Sequence, residues 1–232
     1  MLWAAGIFAY LLYALVANLA LRGPRPDPLT GLAFLLARVY ARVRHRLVVV
    51  GREHAPTPGE GDVGPLIVVA NHASGIDPIV AQVALPGIFV RWVMGADMRI
   101  RAVDWLWRFT DVIFVDRSGS ADPAALKAML AHLEAGGVLG VFPEGRLRQP
   151  GMPLGVFQAG VGLLVRRTGA RVLPLVITGV PRTPKAWDAL WRASRTRVEI
   201  KPLIEFPRGM SATEIAAGLR ARYGDWLSTT VA

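Results

Sequence analysis

From Leu66 onward the chain alternates short, β-branched apolar runs with amphipathic stretches of helical period, and this alternation constrains the fold most. Leu66 to Ala70, Phe89 to Met94, Val112 to Val115, Val138 to Phe142, Val172 to Thr178 and Val198 to Lys201 read as strands. Helical signals fall between them, over Met98 to Phe109, Pro123 to Ala135 and Val156 to Arg167, with a last helix from Ser211. Asp122 followed by Pro123 is a helix start and Gly136-Gly137 a stop, while Ser211-Ala212-Thr213-Glu214 is a capping box. Strands that alternate with helices predict an α/β fold with a mainly parallel central sheet flanked by helices. With 232 residues, 53% of them hydrophobic, the chain can bury one sizeable core.

Residues Met1 to Leu21 carry no charge, and 21 residues at ~1.5 Å rise make a helix of about 30 Å, the thickness of a bilayer's hydrocarbon core. An N-terminal membrane helix is therefore expected, transmembrane or deeply inserted. No basic n-region precedes it, so a secretory signal peptide fits less well. Arg22, Arg25, Arg38, Arg42, Arg44 and Arg46 follow, and the positive-inside bias places the remainder on the cytoplasmic side of the inner membrane. Gly23 to Pro28 is a proline-rich hinge, giving a division into residues 1–28, membrane helix and hinge, and 29–232, the globular domain. Leu29 to Arg46 reads as a helix whose arginines either reach lipid phosphates or form an ordinary solvated face. Leu47 to Val50 is a short strand, and Ala55 to Pro65 a loop.

The formal charge is +10, and of 27 basic residues only Lys127, Lys185 and Lys201 are lysines. Guanidinium is the better bidentate partner for phosphate, so anionic lipid, a phosphorylated substrate or nucleic acid are all admitted as partners. The basic residues are scattered without the aromatic interleaving of a single-strand platform, which disfavours nucleic acid. The absence of cysteine excludes disulfides, thiolate zinc sites and a cysteine nucleophile.

Ligands of a parallel α/β sheet bind beyond the carboxyl ends of its strands. Three polar clusters stand at such ends: Asn71, His72 and Asp77 after Ala70; Asp116 and Arg117 after Val115; Glu144, Arg146 and Arg148 after Phe142. An imidazole takes a proton near neutral pH, and a carboxylate partner holds it in one tautomer. Asp77 before Pro78 is also a common helix start, so it reads equally as an N-cap. One histidine and a carboxylate beside several arginines describe a site that deprotonates a hydroxyl on a phosphate-anchored substrate. No Gly-x-Ser-x-Gly elbow, phosphate-binding Gly-x-x-x-x-Gly-Lys or zinc-hydrolase spacing occurs, and His45, His54 and His132 are assigned no role.

Asn71-His72-Ala73-Ser74-Gly75-Ile76-Asp77 resembles the NHxxxxD motif of the glycerophospholipid acyltransferase family, whose best-known bacterial members are the 1-acyl-glycerol-3-phosphate acyltransferases. Phe114 to Arg117 is similar to that family's second block, Phe142 to Arg146 to its third and Val172 to Val176 to its fourth, in the family's order. The resemblance implies acyl transfer from acyl-CoA or acyl carrier protein to the hydroxyl of lysophosphatidic acid or another lyso-lipid, without cofactor or metal. It implies His72 as general base, oriented by Asp77. Arg117, Glu144, Gly145, Arg146 and Arg148 would lie at the glycerophosphate site, and Pro174 would shape a neighbouring wall. Two departures bear on the acceptor. The third block more often reads Glu-Gly-Thr-Arg, whereas Arg146 and Leu147 follow Gly145 here, and a lysine common after the third strand is replaced by the run Val93 to Asp97.

Overall fold

The computed structural model describes residues 2–20, 23–25, 27–57, 63–118 and 122–231. The strands are β1 (Val48–Val50), β2 (Leu66–Ala70), β3 (Arg91–Gly95), β4 (Ile113–Val115), β5 (Val138–Val141), β6 (Arg171–Thr178) and β7 (Arg197–Ile200). They form one sheet in the order β1-β7-β6-β2-β5-β3-β4. The helices are α1 (Leu2–Ala20), α2 (Pro28–His45), α3 (Asp77–Ala84), α4 (Asp104–Thr110), α5 (Pro123–Glu134), α6 (Ala159–Thr168) and α7 (Ala212–Val231).

Strands β6, β2, β5, β3 and β4 run parallel, as expected. The exception is β7, antiparallel to β6, with β1 parallel to β7 at the edge. Residues 179–196 between β6 and β7 hold a 3-10 turn, Ala186–Trp191, and no crossover helix, so the chain returns beside β6 in the opposite sense. β2 sits at the centre, and each of its residues is buried. Leu66, Val68 and Ala70 join Phe34 of α2 and Val80 of α3 on one face, and Ile67 and Val69 join Leu133 of α5, Val161 of α6 and Ile215 of α7 on the other. That period-two division explains the uninterrupted apolar run of β2, since both faces are covered by helices. Each of the larger side chains, Leu, Ile, Val and Phe, contributes roughly 1.5–3 kcal/mol by leaving water.

Local signals set the helix ends. Asp27 caps α2, its Oδ1 accepting from the Thr30 N–H at 2.7 Å, and Asp122 caps α5 through the Ala125 N–H at 2.9 Å. The capping box of α7 forms reciprocally, Ser211 N–H to Glu214 Oε2 at 2.7 Å and Glu214 N–H to Ser211 Oγ at 3.2 Å. Two expected helical stretches are shorter in the structure. Met98 to Phe109 contributes part of one 3-10 turn, another at Arg101–Val103, and α4, with the Arg99 guanidinium forked on the Asp104 carboxylate at 2.9 and 2.7 Å. Residues 156–158 stay outside α6, because Gln158, extended at φ −68° and ψ 141°, donates its N–H to the Pro143 carbonyl at 2.8 Å.

The expected membrane span requires correction. Met1, Leu21 and Arg22 lie outside the described residues, as do residues 58–62 of the expected Ala55 to Pro65 loop. α1 forms over 19 residues, but among the described residues no helix is long and apolar enough to cross a membrane. Tyr10, Tyr13 and Asn18 interrupt its apolar surface. α1 packs against α2 and leaves Trp3, Ile7, Tyr10 and Leu11 exposed.

Helix α7 is anchored to the sheet by Tyr223, whose buried hydroxyl donates to the Val69 carbonyl at 2.7 Å and reaches that of Leu175 at 3.2 Å. Burial raises the pKa of this phenol well above its usual range. Tyr223→Phe should lower unfolding stability by about 1 kcal/mol without changing the fold; urea unfolding of both proteins, with an unchanged slope, measures it.

Candidate active site

The site begins where β2 ends. Asn71 is fully buried and bonds Ile177 of β6 twice, its Nδ2 donating to the Ile177 carbonyl and its Oδ1 accepting from the Ile177 N–H, both at 2.8 Å. The side chain thus adds a last rung between β2 and β6 while the backbone turns off the sheet. The loop that follows passes tightly beneath Ala186, since a Cβ on Gly75 would stand 2.0 Å from the Ala186 carbonyl oxygen.

His72 projects from this turn with its side chain 20% exposed, whereas that of Asp77 is 0% exposed. Nδ1 of His72 lies 2.9 Å from Oδ2 of Asp77. The same oxygen accepts from the backbone N–H groups of Ala73 at 2.7 Å and Ser74 at 2.8 Å. Its three partners are donors, so Nδ1 carries the proton and Nε2 holds the lone pair. Nε2 has no hydrogen-bond partner among the described residues. The sequence admitted Asp77 as a helix cap. The structure places Ile76 at the cap of α3 and Asp77 inside the helix, its carboxylate folded back onto the preceding loop.

The imidazole is fixed from its flat side as well. Phe142, one residue past β5, stacks on it with ring centroids 4.2 Å apart and planes inclined 21°, and Trp92 of β3 stacks behind Phe142 at 5.0 Å and 17°. Phe142 belongs to the third sequence block, but nothing in the sequence signalled its contact with His72 or the role of Trp92.

Glu144 was expected at the substrate. It is buried, and its two oxygens are taken by backbone: Oε1 accepts from the His72 N–H at 2.8 Å and Oε2 from the Gly155 N–H at 3.0 Å. The Arg148 N–H returns a bond to the His72 carbonyl at 3.0 Å. Glu144 therefore joins the two loops and positions His72 through its backbone.

The arginines divide into two groups. Arg117 is held by Asp97, with Nε to Oδ1 at 3.1 Å and Nη2 to Oδ2 at 2.6 Å, and its Nη1 donates to the Gly145 carbonyl. Hydrogen bonding to Arg117 holds the Asp97 carboxyl below its usual range. Arg146 is exposed and, among the described residues, has no side-chain partner, and Arg148 has a buried Nε likewise without one. These two retain guanidinium valences for an anion. Asp116, at the second strand exit, is used locally, Oδ1 accepting from Ser118 N–H and Oγ at 2.8 and 2.6 Å. Pro174 lies within β6, paired in register with Val69, and is buried in the sheet. Among the described residues no group of three or more His, Cys, Asp or Glu is placed to hold a metal ion.

Residues 46–178 match the profile of the family described as Acyltransferase. The chain is 30% identical over 134 residues to a 1-acyl-sn-glycerol-3-phosphate acyltransferase of Borreliella burgdorferi, covering 57% of this chain and 51% of that one. It is 29% identical over 126 residues to an N-acylphosphatidylethanolamine synthase of Arabidopsis thaliana (50% and 44% covered), and 32% identical over 127 residues to a taffazin of Dictyostelium discoideum (49% and 43%). The aligned part thus spans about half the length of these relatives. Its fold is similar to that of the crystal structure of the lysophosphatidic acid acyltransferase PlsC from Thermotoga maritima, with a TM-score of 0.63 at 20% identity over 88% of this chain and 84% of that one.

The three bonds to one oxygen of Asp77 make a direct prediction. Nitrogen NMR of the native protein should show His72 protonated on Nδ1 when neutral, and Asp77→Ala should lose that fixed tautomer. The variant should also be less stable, because each buried N–H left open costs about 1–3 kcal/mol. A native ring protonated on Nε2 instead would contradict the assignment.

Proposed function

The chain belongs to the acyltransferase family, and from that premise we propose that it transfers a fatty acyl group from an acyl-CoA or acyl carrier protein thioester to the free hydroxyl of lysophosphatidic acid, giving phosphatidic acid. The observation that carries the reading is the His72 to Asp77 contact of 2.9 Å, with Nε2 left open. Nε2 accepts the proton of the acceptor hydroxyl as its oxygen attacks the thioester carbonyl. The carbon–sulfur bond then breaks, the thiolate takes the proton back from Nε2, and an ester and a free thiol leave the site. Asp77 stabilises the transient imidazolium, and the stack on Phe142 keeps the ring in line. Arg146 and Arg148 hold the acceptor phosphate, with Arg117 and Gly145 forming the wall beside them. Glu144 acts through the His72 loop.

The protein works at the cytoplasmic face of the inner membrane. Its uncharged helix α1, with Trp3 and Tyr10 exposed, lies in one leaflet and brings the site to its lipid substrates.

Purified protein in detergent, given labelled acyl-CoA or acyl carrier protein and a panel of lyso-lipids, should yield acylated product by mass. His72→Ala should lower turnover by about 10²–10⁴-fold while keeping the native circular dichroism. Undiminished turnover in that variant, or no product with either donor, would refute the proposal.

One observation favours a second acceptor. Asp97 already neutralises Arg117, so less positive charge faces the phosphate, which would also suit a lysophospholipid with a singly charged phosphodiester. If so, the native enzyme should prefer the phosphodiester lyso-lipid, and Asp97→Ala should raise kcat/KM for lysophosphatidic acid relative to it. An unchanged ratio would remove this reading.

A further inference from the structure

The edge of the His72 ring is fixed by Asp77 at Nδ1, and its face is covered by Phe142, with centroids 4.2 Å apart and planes inclined 21°. A side chain of any chemistry at that place would limit the ring's rotation. An aromatic one adds an electrostatic effect, because its face carries partial negative charge and attracts a cation within about 6 Å of the centroid. Neutral imidazole gains little from that charge, whereas imidazolium gains from it directly. The contact therefore acts on the balance between the two protonation states as well as on position.

The residue behind Phe142 supports an electrostatic reading. Trp92 stacks on Phe142 at 5.0 Å and 17°, so three near-parallel rings follow one another from His72 into the sheet. Packing alone does not account for an indole there. Trp92 is 8% exposed, and its Nε1 is buried without a hydrogen-bond partner among the described residues, where a phenylalanine would leave no orphan donor. The sheet also makes room for the larger ring: Trp92 pairs in register with Gly140 of β5, and a Cβ on Gly140 would stand 2.5 Å from Cε3 of Trp92. Indole has the face that serves a cation best among the aromatic side chains, and behind Phe142 it adds to the negative field on that side of His72.

The charged groups nearest the ring come from two segments. Asp77 of α3 meets Nδ1, and Glu144 after β5 accepts from the His72 backbone N–H, so both carboxylates favour the protonated ring. Arg148 of the same segment, whose backbone N–H bonds the His72 carbonyl, carries the opposing charge. Among the described residues, Phe142 is the one ring stacked on the face of His72.

We infer that Phe142, backed by Trp92, is a positioning residue of an electrostatic kind, whose π face stabilises His72 as imidazolium. Its effect on turnover rests on the reading of His72 as the base that takes the acceptor's proton. Its effect on the ring itself does not.

The test follows the histidine resonances of the full chain in detergent by NMR as pH is varied. His72 is assigned by the signal lost in His72→Ala, and His45, His54 and His132 serve as internal references. Phe142→Leu keeps an apolar cover over the ring and should lower the titration midpoint of His72 by about half a unit to one unit, leaving the three references unmoved. Trp92→Leu should lower it by less. Mono-, di- and trifluorophenylalanine placed at position 142 keep nearly the same shape while withdrawing charge from the face, so they should lower the midpoint step by step with native circular dichroism. Acyl transfer, measured on the alkaline side where the ring is neutral in every variant, should fall in the same order. The loss of kcat should reach about threefold to tenfold in Phe142→Leu, with KM for the acceptor unchanged. A midpoint that stays constant through the fluorinated series would show packing alone and overturn the inference. An unmoved midpoint in Trp92→Leu would overturn the part assigned to Trp92. Acylated product together with a constant midpoint refutes this inference and not the reaction, whereas a graded midpoint without product refutes the reaction and not the effect on the ring.

Discussion

One carboxylate oxygen holds the loop between β2 and α3 together. Oδ2 of Asp77 accepts from the His72 ring and from two successive backbone N–H groups, so ring and loop share a single acceptor. Because the side chain of Asp77 is 0% exposed, its charge is compensated by these donors rather than by water. The imidazole orientation and the path from β2 into α3 are therefore one structural fact, and a change to either alters both.

Around this centre, groups from two other strands, β3 and β5, and the segments that follow β5 remove the remaining freedom of His72. Phe142 after β5 covers the ring, Trp92 of β3 supports Phe142, and Glu144 secures the His72 backbone while reaching Gly155. Parallel strands bring these groups to the same end of the sheet, where each chain segment leaves a ladder and its polar atoms become available. The arginines are less uniformly committed. Arg117 already has a carboxylate partner, and Arg146 and Arg148 do not. Positive charge without a carboxylate partner is thus confined to a subset of the basic residues near the site.

What could be read from the sequence was local. The apolar run of β2, the capping residues of α5 and α7, and the spacing from Asn71 to Asp77 concern residues within a few positions of one another, and the structure forms each of them. The placement of polar clusters at strand exits followed from the parallel alternation. The role of Glu144 was not legible, because it depends on β5 lying beside β2, a neighbour relation that no short segment encodes. The Arg117 to Asp97 pair likewise requires β4 beside β3. Helix α1 was legible as an uncharged apolar helix, but its relation to a bilayer depends on where Tyr10, Tyr13 and Asn18 fall.

Asn71 carries a consequence for what the site tolerates. Its amide is a peptide group transplanted onto a side chain, offering one donor and one acceptor to the two groups of Ile177. Aspartate would supply acceptors where a donor is needed, and glutamine would set the amide one methylene too far out. Serine offers a single atom for two partners. The residue preceding His72 is thereby restricted by bond geometry at the sheet, independently of any contact with a ligand, and its identity would persist in a descendant whose site had changed altogether.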